Sequence, residues 1–204
     1  MSGIVGSKLN IRGSGLVGSL GTDGQHMLSS GAGKTNIFET VGGGAVLQVQ
    51  SVEFTSTASN TSASPAVFTA FDIAFTPTAS TSKLCLQLSM SCGANGERMA
   101  GYFYDSTGAA KIGPIADASG SHLRNTFSST SIMAHTMEPL SFTAWFTPGD
   151  TTTRTIQVFA AATAANTLYI NRTYSDTDDT TINFSRSAST FTITEYDGSI
   201  VTIA

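Results

Sequence analysis

Apolar and polar residues alternate along much of the chain after residue 44, and a period of two is the pattern of a half-buried β-strand. Seven stretches show this alternation: 67–75, 84–90, 140–146, 156–160, 168–172, 190–195 and 199–203. No comparable stretch has apolar residues at the i, i+3, i+4, i+7 spacing of a capped helix. The alternation therefore predicts an all-β protein.

Hydroxyl side chains, rather than charges, fill most of the polar positions. The 204 residues include 27 Ser and 30 Thr, whereas charged residues make up 12%, about half the usual share. Threonine favours a pleated surface and opposes helix formation. Eight or so strands, joined by turns such as Thr147-Pro148-Gly149-Asp150, indicate an antiparallel β-sandwich of jelly-roll type.

Glycine divides the chain into two parts. Of the 20 glycines, 12 lie within residues 1–44, and the last three form the run Gly42-Gly43-Gly44. Glycine at this density works against an independent core, because it buries no side chain and loses the most entropy on ordering. We therefore expect an extended Gly-rich N-terminal arm over 1–44, ending in a hinge, and a β-sandwich body over 45–204.

The charge balance argues against several partners. A net charge of -4 and an isoelectric point near 5.2 remove the electrostatic basis for non-specific nucleic-acid binding. The chain has neither a signal-peptide pattern at its start nor eighteen consecutive apolar residues. The sequence thus predicts no nucleic-acid partner and no membrane insertion.

The two cysteines, Cys85 and Cys92, lie in one alternating run. Seven residues of extended chain span about 23 Å and put the two side chains on opposite faces, so a disulfide is out of reach. We expect two reduced thiols. A catalytic or metal-binding role would need His or Cys partners that the nearby sequence does not offer.

Two glycine motifs resemble nucleotide-binding loops, and both lack the required context. Residues 13–18 fit G-x-G-x-x-G, but neither a buried strand nor a helix flanks them. Residues 31–35 resemble the end of a phosphate loop with Lys34, yet Leu28 stands where the first glycine is needed. The following segment is too short and too rich in glycine to be the helix that would bind phosphate. We expect no nucleotide cofactor and no ATPase activity.

Candidate metal ligands are scattered. The histidines His26, His122 and His135 are far apart in the sequence and predict surface or subunit contacts rather than a zinc site. The turn from Asp176 to Asp179 could offer alternate oxygen ligands to calcium, but it lacks the glycine and distal glutamate of an EF-hand. A solvated acidic turn is the favoured interpretation, with calcium left as the alternative.

Aromatic residues that point outward are candidates for sugar binding. In Tyr102-Phe103-Tyr104 the two tyrosines share one strand face, and Phe103 takes the other. With Phe103 and Phe146 directed inward, Tyr102, Tyr104 and Trp145 point outward or into a subunit contact. Core or interface packing is the default interpretation, and a glycan platform is the alternative.

Residues 20–33, continuing to Phe38-Glu39, resemble a Gly-Gln-x-Leu-x-Ser-x-Gly-x-Gly segment of bacteriophage proteins. This segment recurs in tail-fibre and other virion structural proteins, especially in phages of marine bacteria and cyanobacteria. The resemblance extends to residues 1–15 and, more loosely, to 168–172, 176–178 and 189–195.

The resemblance implies a structural component of a virion, such as a fibre, spike or decoration protein. It implies a homotrimer whose arm docks on other virion proteins and whose body projects from the particle or packs on it. It implies no catalytic, cofactor-binding or metal site. A carbohydrate-binding knob that recognises the host surface, through Tyr102, Tyr104, Trp145 or the Asp176 turn, is the main alternative. A fibre-borne depolymerase or esterase is disfavoured, because such enzymes usually need a larger cleft.

Overall fold

A computed structural model describes residues 10–11, 15–16, 25–28, 37–40, 45–95, 98–129, 132–133, 135–163, 166–178, 180 and 185–203. The chain divides into two compact units, residues 1–44 and residues 45–204. In the first unit the backbone forms two antiparallel strand pairs. These are β1 (Asn10–Ile11) with β2 (Gly15–Leu16), and β3 (Gln25–Leu28) with β4 (Ile37–Thr40).

The second unit consists of antiparallel strands and, among its described residues, contains a single 3-10 helix at Thr69–Phe71. The strands are β5 (Val46–Phe54), β6 (Ala58–Asn60), β7 (Ala66–Val67), β8 (Ile73–Phe75), β9 (Lys83–Gly93), β10 (Met99–Asp105), β11 (Ala110–Ile112), β12 (Phe127–Ser128), β13 (Glu138–Phe146), β14 (Arg154–Ala162), β15 (Leu168–Ile170) and β16 (Ser189–Tyr196). The all-β prediction is confirmed.

These strands form two sheets with jelly-roll connectivity. The first sheet runs β5-β16-β9-β13, and the short strands β6 and β15 extend it. The second runs from β11 and β12 through β10 and β14 to β7 and β8. The chain crosses between the sheets from β6 to β7, β8 to β9, β9 to β10, β12 to β13, β13 to β14 and β14 to β15. It stays within one sheet from β5 to β6, β7 to β8, β10 to β12 and β15 to β16. This order of strands is that of a jelly roll and confirms the predicted fold class.

Apolar side chains from both sheets meet in the core. On β9 the predicted face Leu84, Leu86, Leu88 and Met90 is buried. Phe103 of β10 stacks on Phe191 of β16, with ring centroids 5.5 Å apart, and so joins the two sheets. Packing of large aromatic rings across the sandwich gives the body much of its stabilising apolar burial.

The stretch 67–75 departs from the single strand that its alternation predicts. The 3-10 helix interrupts it, and Val67 is 37% exposed whereas Phe68 is buried. Phe68 breaks the period of two, because it must enter the same core as Phe71 and Ile73. The tight helical turn brings both phenylalanines inward, and the backbone amide of Phe68 still donates to Val158.

The prediction of a strand at 199–203 is also wrong. Strand β16 ends at Tyr196, and the chain turns at once. The Asp197 carboxylate accepts hydrogen bonds from the backbone amide and the hydroxyl of Ser199, at 2.8 and 2.7 Å. Short polar side chains that bond locally in this way compete with strand pairing.

Candidate interaction surfaces

The outer face of the second sheet carries a cluster of three aromatic rings. Tyr102 lies opposite Phe159 in the register of β10 and β14, and their rings stack with centroids 5.2 Å apart and planes 11° apart. Tyr104 approaches the same phenylalanine at 5.1 Å. All three side chains are half-buried. The two tyrosines therefore point outward, as their alternation predicts.

Polar groups surround this aromatic cluster. The ammonium nitrogen of Lys111 lies 4.0 Å from the centre of the Tyr102 ring and donates to the carbonyl of Arg124. Burial, and then the nearby Arg124 charge, lower the pKa of Lys111. Gln157 donates to the Asp72 carboxylate at 2.9 Å. The cluster thus pairs aromatic surface with polar groups, a combination that suits a sugar or a protein partner.

Phe159 was not among the residues that the sequence singled out. The strand over 156–160 was predicted from the alternation of Ile156, Val158 and Ala160, and these three side chains are buried. The same alternation places residue 159 on the opposite face, so the signal was present but unused.

Trp145 does not belong to the tyrosine cluster. It lies on β13 in the first sheet, and its ring is 5.4 Å from that of Tyr196. Tyr102 and Tyr104 lie on the outer face of the second sheet. The three aromatic residues proposed for one sugar site therefore lie on opposite faces of the sandwich and do not form a common platform.

The outer face of the first sheet is covered mainly by uncharged polar side chains. Strand register aligns two rows across β5, β16, β9 and β13: Ser51, Thr192, Gln87, Thr143, and next to them Glu53, Thr190, Ser89, Ser141. Toward the Tyr196 end the same face becomes apolar, with Val49 56% and Val46 47% exposed. We call this surface the hydroxyl face.

Arginine side chains engage the acidic turn. Asp176 forms ion pairs with Arg172 at 3.3 Å and with Arg186 at 2.9 Å. Within the described part of the chain, no group of three or more His, Cys, Asp or Glu is placed to hold a metal ion. Asp179 lies outside the described residues. Asp176 therefore acts as an arginine-paired structural carboxylate.

Among the described side chains, the predicted histidines and cysteines form no reactive centre. His122 and His135 are exposed, and the side chain of His26 lies outside the described residues. Cys85 and Cys92 are buried free thiols. Burial raises the pKa of both, and for Cys92 the Glu138 charge raises it further. A thiol held protonated is a poor nucleophile.

Most residues of the two glycine motifs lie outside the described part of the chain. Lys34 and the segment 31–35 lie outside the described residues, as do residues 13, 14, 17 and 18 and the hinge at 42–44. Among the described residues, no helix is long and apolar enough to cross a membrane.

The sequence did not reveal the buried charges of the body. Asp105 is 1% exposed and binds the guanidinium of Arg154, which also donates to the Pro148 carbonyl and to Asp150. Burial lowers the pKa of Arg154, but its bonds to Asp105 and Asp150 outweigh this effect and raise it. The ion pair with Asp105 joins β10 to the first residue of β14, and the bonds to Pro148 and Asp150 hold the turn before β14. Its groups bond one another, which is the arrangement of a structural clamp.

A surface pocket of 380 Å³ opens beside the 113–126 loop. Seven residues line it: Ala116, Leu123, Asn125, Thr126, Phe127, Ser128 and Phe142. None of these side chains is an acid, a base or a thiol. The pocket therefore lacks the paired titratable groups on which general acid-base catalysis depends.

Comparisons with known proteins find similarity in structure only. No protein-family model matches the chain, and no curated protein does. Among solved structures, a mutant VP2 protein of infectious bursal disease virus in derived T=1 particles matches at 9% identity and a TM-score of 0.38. The alignment covers 92% of this chain and 44% of that one. A structure of the Gt strain of the same virus matches at 9% identity and a TM-score of 0.37, covering 83% and 42%. The chain spans less than half the length of these proteins.

Proposed function

We propose that this protein is a structural component of a bacteriophage virion, of fibre, spike or decoration type. The observation that carries the proposal is the jelly-roll order of the strands in the body. Viral capsid and lectin domains use this architecture. The phage-like segment at 20–33 adds sequence support, and the buried carboxylates of Asp105 and Glu195 are held by hydrogen bonds within the fold. We propose no catalytic activity.

In this proposal residues 1–44 attach the body to other virion proteins. The segment is rich in glycine but contains apolar residues at intervals, among them Ile4, Leu9, Leu16 and Leu20. A partner groove could bury them, each contributing about 1 to 2 kcal/mol when fully enclosed. The resemblance implies three copies of the protein, and the mass of the purified assembly tests that number.

Deletion of residues 1–40 tests the attachment role. The truncated protein is expected to remain soluble but to be missing from particles produced by a virus that carries the shortened gene. Quantitative mass spectrometry of purified particles measures its copy number against the full-length protein. Truncated protein at the normal copy number would place attachment in the body, and full-length protein missing from particles would refute the virion assignment.

The aromatic cluster on the second sheet favours a second candidate function, recognition of a host-surface carbohydrate. Aromatic rings flanked by polar groups are a common means of binding sugars. A host-glycan array tests this, with Phe159→Ala expected to abolish any signal and Trp145→Ala to leave it unchanged. Binding that survives Phe159→Ala would exclude this cluster as the site.

A further inference from the structure

The hydroxyl face spans four strands and is almost free of charge. Seven of the eight side chains in its two aligned rows are Ser, Thr or Gln, and Glu53 is the exception at the edge strand. Within a row, the hydroxyl oxygens of Ser51 and Thr192 are 2.8 Å apart and bond to each other. Lys83, at the Tyr196 end of the face, donates to Thr147.

Apolar side chains at one end of this face remain open to solvent. Val46, Leu47 and Val49 on β5 are 47, 37 and 56% exposed. Trp145 and Tyr196 contact each other nearby and are only half-buried. An exposed apolar cluster with aromatic rings, beside uncharged polar rows, has the composition of an interface core, where charges are depleted and aromatics enriched.

We propose that the hydroxyl face is a contact surface between copies of this chain. A hydroxyl both donates and accepts hydrogen bonds, and so does the Gln87 amide. Such a face can therefore satisfy its hydrogen bonds against an identical face. A face of lysines offers only donors, a face of carboxylates offers only acceptors, and either one would repel its own copy. A different protein could be selected through charges opposite to those of the face, but the two rows largely lack charges.

The size of the face also fits a contact between two copies. Four strands at about 4.8 Å spacing and nine residues at about 3.3 Å each give about 570 Å² per copy. Two copies then bury about 1,100 Å², which exceeds the usual size of a crystal-packing contact and lies near the lower limit of specific interfaces. A contact between identical faces joins copies in pairs, so it is distinct from the threefold assembly that the resemblance implies. The inference is also independent of the virion assignment, because a chain can associate through this face whatever its location.

Light scattering on the purified full-length protein tests the proposal. The protein is expected to form an assembly of two or more copies of the 21.1 kDa chain. Ser89→Lys places a charge within the face and is expected to shift the mass toward monomer. At least a tenfold higher protein concentration should then be needed to restore the assembly. Ser128→Lys makes the same change at an exposed serine on the second sheet and is expected to leave the mass unchanged.

Mixing variants separates a lost contact from a damaged fold. Ser89→Glu alone is expected to dissociate as Ser89→Lys does, and an equal mixture of the two is expected to regain the assembly. A monomeric full-length protein would overturn the proposal. An assembly that Ser89→Lys leaves intact would overturn it as well.

Discussion

Among the individual residues, Glu195 is a buried carboxylate that several hydrogen bonds hold in place. Its side chain is fully enclosed, and its oxygens accept hydrogen bonds from Gln48 at 2.6 Å and from the amide and hydroxyl of Thr78 at 2.7 Å. Burial raises the pKa of this carboxyl, but the nearby Ser82 hydroxyl and the hydrogen bonds from Gln48 and Thr78 outweigh that effect and lower it. The carboxylate thereby ties β16 to β5 and to the segment before β9.

Replacement of Glu195 by glutamine is expected to destabilise the body by about 2 kcal/mol at pH 7, because an amide nitrogen would face hydrogen-bond donors. The folded-state pKa of Glu195 lies below its unfolded value of about 4.3. Its stabilising contribution is therefore complete above that value and is lost as the pH falls through the folded pKa. Urea unfolding of both proteins should show a difference at pH 7 that shrinks below about pH 4.

Asp178→Asn is the control, since Asp178 lies exposed in the turn after β15 and outside the hydroxyl face. This variant is expected to change the free energy of unfolding by less than about 0.5 kcal/mol. A difference between wild type and Glu195→Gln that stays constant from pH 7 to pH 3 would mean that the charge of Glu195 is not what stabilises the fold.

Single strands were predictable where one face is buried and the other is open. Strands β9 and β13 follow their alternation because both have this environment. The 3-10 helix was not predictable from the period of two, since Phe68 and Phe71 enter the core through a change of backbone conformation. The outward position of Phe159 was predictable from the alternation in its own strand. Its contact with Tyr102 was not, because it depends on the pairing of two strands that are distant in the sequence.

Strand β10 depends on a glycine at its centre. A side chain at Gly101 would place a Cβ atom 2.3 Å from the Phe159 carbonyl oxygen and 2.5 Å from the Phe127 ring. Neither the backbone of β14 nor the packed ring can move aside without loss of core contacts. Gly101→Ala is therefore expected to cost about 3 kcal/mol, measured by urea unfolding.

Gly120→Ala provides the comparison, because Gly120 has a φ of 52° but no atom within 4 Å of an added Cβ. Only backbone strain of about 1 kcal/mol is expected there. Equal losses at the two positions would show that the close approach at Gly101 is relieved by small movements.

At the scale of the whole molecule, the sequence indicated the fold class but not the strand order. Local alternation does not specify which distant strands pair, and the exposure of the hydroxyl face follows from that pairing. The buried ion pair of Asp105 and Arg154 likewise joins residues that are 49 positions apart. Sequence spacing carries no signal for such a contact.

The body is expected to fold without the N-terminal unit. Residues 45–204 form a compact unit of their own, and the buried apolar side chains described within it pack into one core. A fragment of these residues should show β-rich circular dichroism and a cooperative thermal transition. An unfolded spectrum would show that residues 1–44 supply part of the core, and strong helical minima would contradict the fold itself.

The pairing of β5 with β16 has a consequence for synthesis of the chain. Glu53 lies opposite Thr190, so the partner of the first body strand is made 137 residues later. At about 5 to 20 residues per second, the ribosome needs roughly 7 to 27 s to cover that distance. Throughout this time Val46, Leu47 and Val49 belong to a strand that has no neighbour on either side. The nascent protein therefore depends on keeping this strand from pairing with other chains until translation is almost complete. Slow codons after residue 54 would lengthen this period and increase aggregation of the protein.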